Sequence, residues 1–287
     1  MNETAEAGTT AVVLGGGGLS GIGWLTGVLT ALEEKGALDL ADAESVIGTS
    51  AGSAAATAIL QSGSAATQFE IMVRKSRRNA ELAPTADIPA VLEGFVELAS
   101  ADRPDTERGR RYVELSHTMS GADPAARRSA VASRLSSDVW PANLTVTALR
   151  EDGTLFAFTG ESAVDLVDAV TASCAVPGLW PTVEIDGAEF VDGGCYSITN
   201  AHLATAADRV IVLAPMPEDP ATVRPEVAAV LNRAVVVSPS ERSVAGMGLN
   251  PFDPDVRGIA AVLGYEDGVA SASPISMMSQ SSPLRRR

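Results

Sequence analysis

Three groups of residues in this sequence have the types and local spacing that nucleophilic acyl chemistry needs. The first is Gly48-Thr49-Ser50-Ala51-Gly52, a G-x-S-x-G run closing a short apolar stretch that begins at Val46. A serine at the tip of a sharp strand-to-helix turn stands clear of a sheet. The helix that follows points partial positive charge at the serine oxygen, favouring an alkoxide and the oxyanion it creates. Glycines on either side are what such a turn requires, because side chains there would collide where strand and helix pack closely. An ordinary serine in a small-residue turn has the same local sequence. The second group is Gly15-Gly16-Gly17-Gly18, whose bare backbone N–H groups can be aimed at a developing oxyanion. The third is Asp192-Gly193-Gly194, an acid followed by two residues that let the backbone turn tightly. Its carboxylate either faces a site or caps its own loop.

A serine nucleophile needs a proton acceptor, usually a histidine held by a carboxylate. The chain has only two histidines, His117 and His202. His117 precedes every candidate acid. His202 sits ten positions after Asp192, near the start of a short predicted helix, where a surface or capping position suits it; spacing leaves a triad through it open. The better reading is a dyad in which the Asp192 carboxylate takes the Ser50 proton directly, given burial enough to raise its pKa toward the working pH. Gly16, Gly18 and Gly21 also match G-x-G-x-x-G. A dinucleotide site expects an acid at the end of the second strand, where this chain has Gly48-Thr49-Ser50, with Glu44 lying before that strand. A P-loop is excluded by the missing Gly-Lys-Ser/Thr.

The elements that must position these groups follow from hydrophobic pattern and punctuation. Thr9–Leu14 reads as a buried strand, and the glycine loop opens a helix that runs to about Lys35 and stops at Gly36. A second strand ends at Ser50 and an Ala-rich helix spans 51–62. Residues 61–140 read as helical pieces over 65–79, 87–101, 105–120 and 123–137, broken at Pro84, Pro89, Pro104 and Pro124. Inserted after the serine's helix, they would form a cap that shapes an acyl pocket. A hairpin at Asn143–Leu149 and Leu155–Phe158 follows, then a helix over Val164–Ser173, a rigid loop over Cys174–Pro181, and strands at Val183–Ile185 and Glu189–Val191. A short helix over Asn200–Ala207, a strand at Arg209–Ala214 and helices at Thr222–Val237 and near Val256–Leu263 complete the pattern. These elements predict an α/β fold: a mostly parallel central sheet with helices on both faces, in three layers. One domain spans 8–264, with 61–140 as a helical cap insertion, and 265–287 form a poorly ordered C-terminal tail. With the first two strands adjacent, the glycine loop and Ser50 meet at one sheet edge.

Composition narrows the function class. A net charge of -15 leaves no general basic surface to replace counterions on nucleic acid. The imbalance is uneven: residues 61–140 hold 11 basic and 11 acidic residues, so the rest of the chain carries all of the excess. Within that span Arg74, Lys75, Arg77 and Arg78 form a basic cluster, either a solvated helix face or a contact for lipid headgroups. Transient approach of the cap to a membrane surface is therefore expected to be compatible with an otherwise acidic body. Cys174 and Cys195 show neither metal-type spacing nor a disulfide framework, so no metal or cofactor is expected and a reducing compartment fits. The uncharged stretch 7–32 is interrupted by four glycines and preceded by glutamates. It is the wrong pattern for an export signal, and a soluble, cytoplasmic protein is expected.

Taken in order, Gly16-Gly17-Gly18 with Gly21, the elbow at Gly48–Gly52, Ala175-Val176-Pro177-Gly178 and Asp192-Gly193-Gly194 resemble the patatin-like phospholipase family over roughly residues 9–215. The resemblance implies an α/β hydrolase-like sheet and a lipid acyl hydrolase of phospholipase A or lysophospholipase type, acting on fatty acyl esters. Ser50 is then the nucleophile, Asp192 the base, and the amides of Gly16, Gly17 and Gly18 the oxyanion donors. Ser20 stands where the family often carries arginine or lysine, so a positive charge that could greet a phosphate is missing at that position. An acyltransferase or non-lipid carboxylesterase would share the acyl-enzyme, and a silent binding protein would share the fold.

Overall fold

A computed structural model describes residues 8–74, 81, 82, 84, 86–100 and 104–280. Strand β1 (Thr10–Leu14) leads through the glycine loop into helix α1 (Gly18–Glu34), and β2 (Ser45–Thr49) leads through Ser50 into α2 (Ala51–Ser62). Helices α3 (Ala65–Val73), α4 (Ile88–Ser100), α5 (Asp105–Met119) and α6 (Pro124–Ala132) follow, then β3 (Leu144–Arg150), β4 (Leu155–Phe158) and α7 (Leu166–Ser173). Next come β5 (Val183–Ile185), β6 (Ala188–Asp192), β7 (Arg209–Leu213), α8 (Pro225–Leu231), β8 (Val235–Val237), α9 (Glu241–Met247) and α10 (Val256–Gln280).

The strands form one sheet in the order β5-β6-β3-β2-β1-β7-β8, with β4 also paired to β3. β3, β2, β1, β7 and β8 run parallel, and the β4, β5 and β6 pairings are antiparallel. Alternation along the parallel strands assigns the two faces. Val12, Leu14, Val46, Ile211 and Leu213 enter one core with α1, α2 and α7. Ala11, Val13, Ile47, Val210 and Val212 enter a second core with α8. Helices therefore cover both faces, as expected of strands apolar on both sides. Each fully buried valine or leucine contributes roughly 1.5–3 kcal/mol.

Two segments differ from the sequence-based expectation. The helix predicted over Thr222–Val237 ends at Leu231, and Val235–Val237 instead form an edge strand parallel to β7. Three consecutive β-branched residues fit a pleated edge better than a helix, so packing on β7 wins over continuation of α8. The tail predicted from 265 is also corrected: α10 continues to Gln280. Where it lies closest to α1 its contact surface is made of small residues. A Cβ at Gly27 of α1 would lie 1.9 Å from the Ala261 carbonyl oxygen, and one at Gly264 of α10 would lie 2.1 Å from the Trp24 carbonyl oxygen. The backbones of the two helices touch there. Asp267 Oδ2 accepts hydrogen bonds from Trp24 Nε1 (2.8 Å) and Ser243 Oγ (2.6 Å), fixing α10 to α1 and α9. Residues 281–287 lie outside the described residues, as do Lys75, Arg77 and Arg78 of the basic cluster; Arg74 pairs with Glu70 at 2.7 Å. Among the described residues no helix is long and apolar enough to cross a membrane.

Candidate active site

Parallel pairing of β1 with β2 puts the glycine loop and Ser50 side by side, so that a Cβ on Gly16 would lie 3.7 Å from the Ser50 Cβ. Ser50 has φ 53 and ψ -115, an unfavourable conformation for a residue with a side chain. Its neighbours hold it there. Its N–H donates to Ser173 Oγ at 2.9 Å, and its carbonyl accepts from Ser53 Oγ at 2.7 Å. The elbow leaves no room beside it: a Cβ at Gly48 would lie 2.6 Å from Ser53 Cα, and one at Gly52 would lie 1.9 Å from the Leu14 carbonyl oxygen. The Ser50 side chain makes no capping bond to α2.

Asp192 ends β6 and is 4% exposed. Its N–H donates to the Ala175 carbonyl at 2.9 Å, and its Oδ1 accepts the Gly194 N–H at 2.7 Å. Oδ2 is buried without an aligned hydrogen-bond partner. Burial pushes the carboxyl up to about 7; the Ser50 hydroxyl, the Gly194 amide and the Arg127 charge oppose that rise without cancelling it. Ser50 is thus close enough to favour the carboxylate form, while the well-formed bond that would satisfy Oδ2 is absent. One oxygen of this aspartate caps its own turn, and the other makes no such bond.

Both histidines lie elsewhere. His117 Nε2 meets Glu189 Oε1 at 2.7 Å, and His202 stacks on Tyr196 with ring centroids 5.3 Å apart. His202 belongs to a short 3-10 turn, and its pKa is lowered by burial.

The glycine loop needs one correction. The Gly16 N–H donates to the Ile198 carbonyl at 2.9 Å, so it is not a bare donor. A buried amide must find a partner, and the 197–200 loop runs alongside this glycine. That loop is itself gathered by Glu218, whose carboxylate accepts from the N–H groups of Ile198 (2.9 Å) and Thr199 (3.0 Å). Among the described residues the Gly17 and Gly18 amides, at the start of α1, have no such partner. Gly18 has φ 63, and a Cβ there would lie 2.6 Å from the Pro251 carbonyl oxygen, so only glycine fits.

Several residues that support this arrangement carry no local signature in the sequence. Asn200 Nδ2 donates to Thr49 Oγ1 (3.1 Å), Thr147 Oγ1 (3.3 Å) and the Gly193 carbonyl (3.1 Å), tying β2, β3 and the Asp192 turn together from beneath. Its φ of 51 is one that asparagine tolerates better than most residues, which is the one hint available beforehand. Arg127 of α6 is almost fully buried, with its guanidinium 3.9 Å above the Trp180 ring. A narrow cleft opens onto Ser50. Leu19, Ile22, Val176, Trp180 and Phe252 form its apolar wall, and Glu81, Arg127 and Arg134 form a charged one. The helical segment after α2 therefore contributes directly to the wall of the site.

With this geometry in place, comparison with known proteins gives a decisive match: the model of the family described as patatin-like phospholipase covers residues 12–205. The chain belongs to the patatin-like phospholipase family. That match contains the glycine loop, the elbow and the Asp192 turn. Among solved structures, the patatin-like chain is similar to VipD from Legionella pneumophila, with 14% identity, a TM-score of 0.48, and coverage of 94% of this chain and 67% of VipD. It is also similar to the type III effector ExoU, with 16% identity, a TM-score of 0.45, and coverage of 94% of this chain and 54% of ExoU. For the heterodimeric ExoU–SpcU complex from Pseudomonas aeruginosa the values are 18%, 0.44, 94% and 52%. The chain thus spans about two thirds of the length of VipD and about half that of ExoU. No curated protein matches.

Proposed function

We propose that this patatin-like protein is a serine acyl hydrolase that cleaves fatty acyl esters of lipids through a Ser50–Asp192 dyad. The observation that carries the reading is a buried carboxyl, pushed up to about 7, with one oxygen unsatisfied beside the hydroxyl of a strained elbow serine. The Ser50 oxygen attacks the ester carbonyl carbon while its proton passes to Asp192 Oδ2. The carbonyl oxygen becomes negative and is received by the Gly17 and Gly18 N–H groups at the α1 N-terminus, where the helix dipole assists. The tetrahedral adduct collapses, the C–O bond to the alcohol breaks, and Asp192 returns the proton to the departing alkoxide. Water then adds to the acyl-enzyme with Asp192 again taking the proton, and the fatty acid leaves as Ser50 is restored. The apolar cleft wall suits the acyl chain.

Transfer of the acyl group to another alcohol uses the same intermediate, so the test has two parts. Hydrolysis of a short-chain acyl ester and of a monoacyl phospholipid is measured for the parent, Ser50→Ala and Asp192→Asn chains, with and without a competing alcohol. The reading expects free fatty acid from the parent and a fall in kcat/KM of about a thousandfold or more for each variant. Undiminished hydrolysis by Ser50→Ala would overturn it, and acyl alcohol as the main product would move the assignment to acyl transfer.

A further inference from the structure

The charged wall of the cleft carries more positive charge than its partners neutralise. Arg134 binds Glu81 through two hydrogen bonds (Nε to Oε1 at 3.0 Å, a terminal nitrogen to Oε2 at 2.6 Å), and Arg257 binds the same carboxylate at 2.7 Å. All three side chains are less than a tenth exposed. One carboxylate thus serves two guanidinium groups. Arg127 is the third, at 4% exposure, and among the described residues it makes no ion pair. Its single hydrogen bond there is a long one, 3.3 Å from a terminal nitrogen to the Cys174 carbonyl, and its Nε is buried with no acceptor. The guanidinium carbon lies 3.9 Å from the centroid of the Trp180 ring, which covers it from one side. The Asp192 charge also bears on it, and among the described residues the two are not in ion-pair contact.

Leaving a buried guanidinium with an unsatisfied N–H is costly, and an incoming anion is one way of satisfying it. Burial and the neighbouring Arg134 push Arg127 down to about 10, which still leaves it charged at neutral pH. Arg127 and Arg134 line the cleft with Glu81, and Arg257 shares that carboxylate, so three arginines meet one glutamate in this cluster. A phosphate monoester carries about -1.5 to -2 at pH 7 and offers three acceptor oxygens, so it matches both the charge and the N–H groups of Arg127 that its one long bond leaves over.

We propose that Arg127, backed by Trp180 and by the Glu81–Arg134–Arg257 cluster, forms a seat for a phosphoryl group at the wall of the Ser50 cleft. The inference rests on the acyl-hydrolase reading only for what the seat is used for: positioning an ester that bears a phosphate so that its acyl group reaches Ser50. The seat itself is a binding property and is tested without turnover.

The experiment is calorimetric titration of the full-length Ser50→Ala chain with hexyl phosphate, hexanol and inorganic phosphate at constant ionic strength. It is repeated on Ser50→Ala/Arg127→Gln and Ser50→Ala/Arg127→Lys, each checked for folding by circular dichroism. Hexyl phosphate is expected to bind at least about tenfold more tightly than hexanol, and Arg127→Gln to close that gap to about twofold. Arg127→Lys, which keeps a charge but loses the fork, is expected to close part of it. Inorganic phosphate binding as tightly as hexyl phosphate assigns the seat to the free anion, and markedly weaker binding assigns it to a lipid headgroup; both outcomes support a phosphoryl seat. Equal affinity for hexyl phosphate and hexanol in the Ser50→Ala chain would overturn the proposal even if the double variants did not fold, as would a gap that survives Arg127→Gln. Because Ser50→Ala cannot turn over, a failed seat leaves the hydrolase reading standing, and a failed hydrolase reading leaves the seat measurable.

Discussion

At the scale of single residues the proposed chemistry turns on Asp192, and its environment predicts two opposite pH effects. As the proposed base it must be ionised, so kcat/KM for a neutral ester is expected to fall about tenfold per pH unit below about 7 and to level off above it. For stability the sign reverses. Between the ordinary carboxylate range and pH 7 the folded protein keeps a proton that the unfolded chain has lost, so this residue makes the fold less stable as pH rises through that window. Asp192→Asn removes the buried charge. It is expected to raise stability by roughly 2–4 kcal/mol at pH 8 and by little at pH 4, read from urea unfolding at the two pH values. A variant equally stabilised at both would show that the carboxyl is not held protonated. Ser50 and Asp192 were legible in the sequence because each sits in a local pattern with a physical reason. Arg127 was not, since an arginine on a helix of a charge-balanced segment looks solvated until Trp180 is known to cover it.

At the scale of elements, the elbow and the glycine loop work because backbone meets backbone. Gly52→Ala would drive a Cβ into the Leu14 carbonyl, and we expect it to lose about 3 kcal/mol or more or to fail to fold. Gly36→Ala meets nothing within 4 Å and strains only its own backbone (φ 61), so a loss of about 1 kcal/mol is expected from thermal unfolding. Similar losses for the two would contradict the close packing of β1 against α2. The sequence indicated a bare-amide loop but could not assign its amides, because the Gly16 N–H is taken by a carbonyl about 180 residues away in sequence. Long-range pairing of that kind leaves no periodic trace. The same holds for Val235–Val237, where a neighbouring strand rather than local propensity decided the element.

For the whole molecule, the chain closes on itself: its last described helix, α10, packs on its first, α1, through glycines on both. Hydrophobic periodicity misses this contact because α10 offers Gly264, Gly268 and buried Ala272 where a conventional amphipathic helix would show leucine or valine. Ending the chain after Gly264 removes the Asp267 bonds to Trp24 and Ser243 and the buried Ile275. A loss of at least about 3 kcal/mol in denaturant unfolding is expected, whereas a dispensable tail would cost nothing. All of this packing converges on one centre, where the proposed mechanism has a carboxylate make a hydroxyl nucleophilic with no imidazole between them. The most direct test is covalent labelling of the full chain with a fluorophosphonate at pH 8, followed by peptide mapping. A single adduct on Ser50 is expected, formed at least about a hundredfold more slowly in Asp192→Asn and unchanged in rate by His202→Ala. Labelling that ignores Asp192 but is abolished by His202→Ala would contradict it.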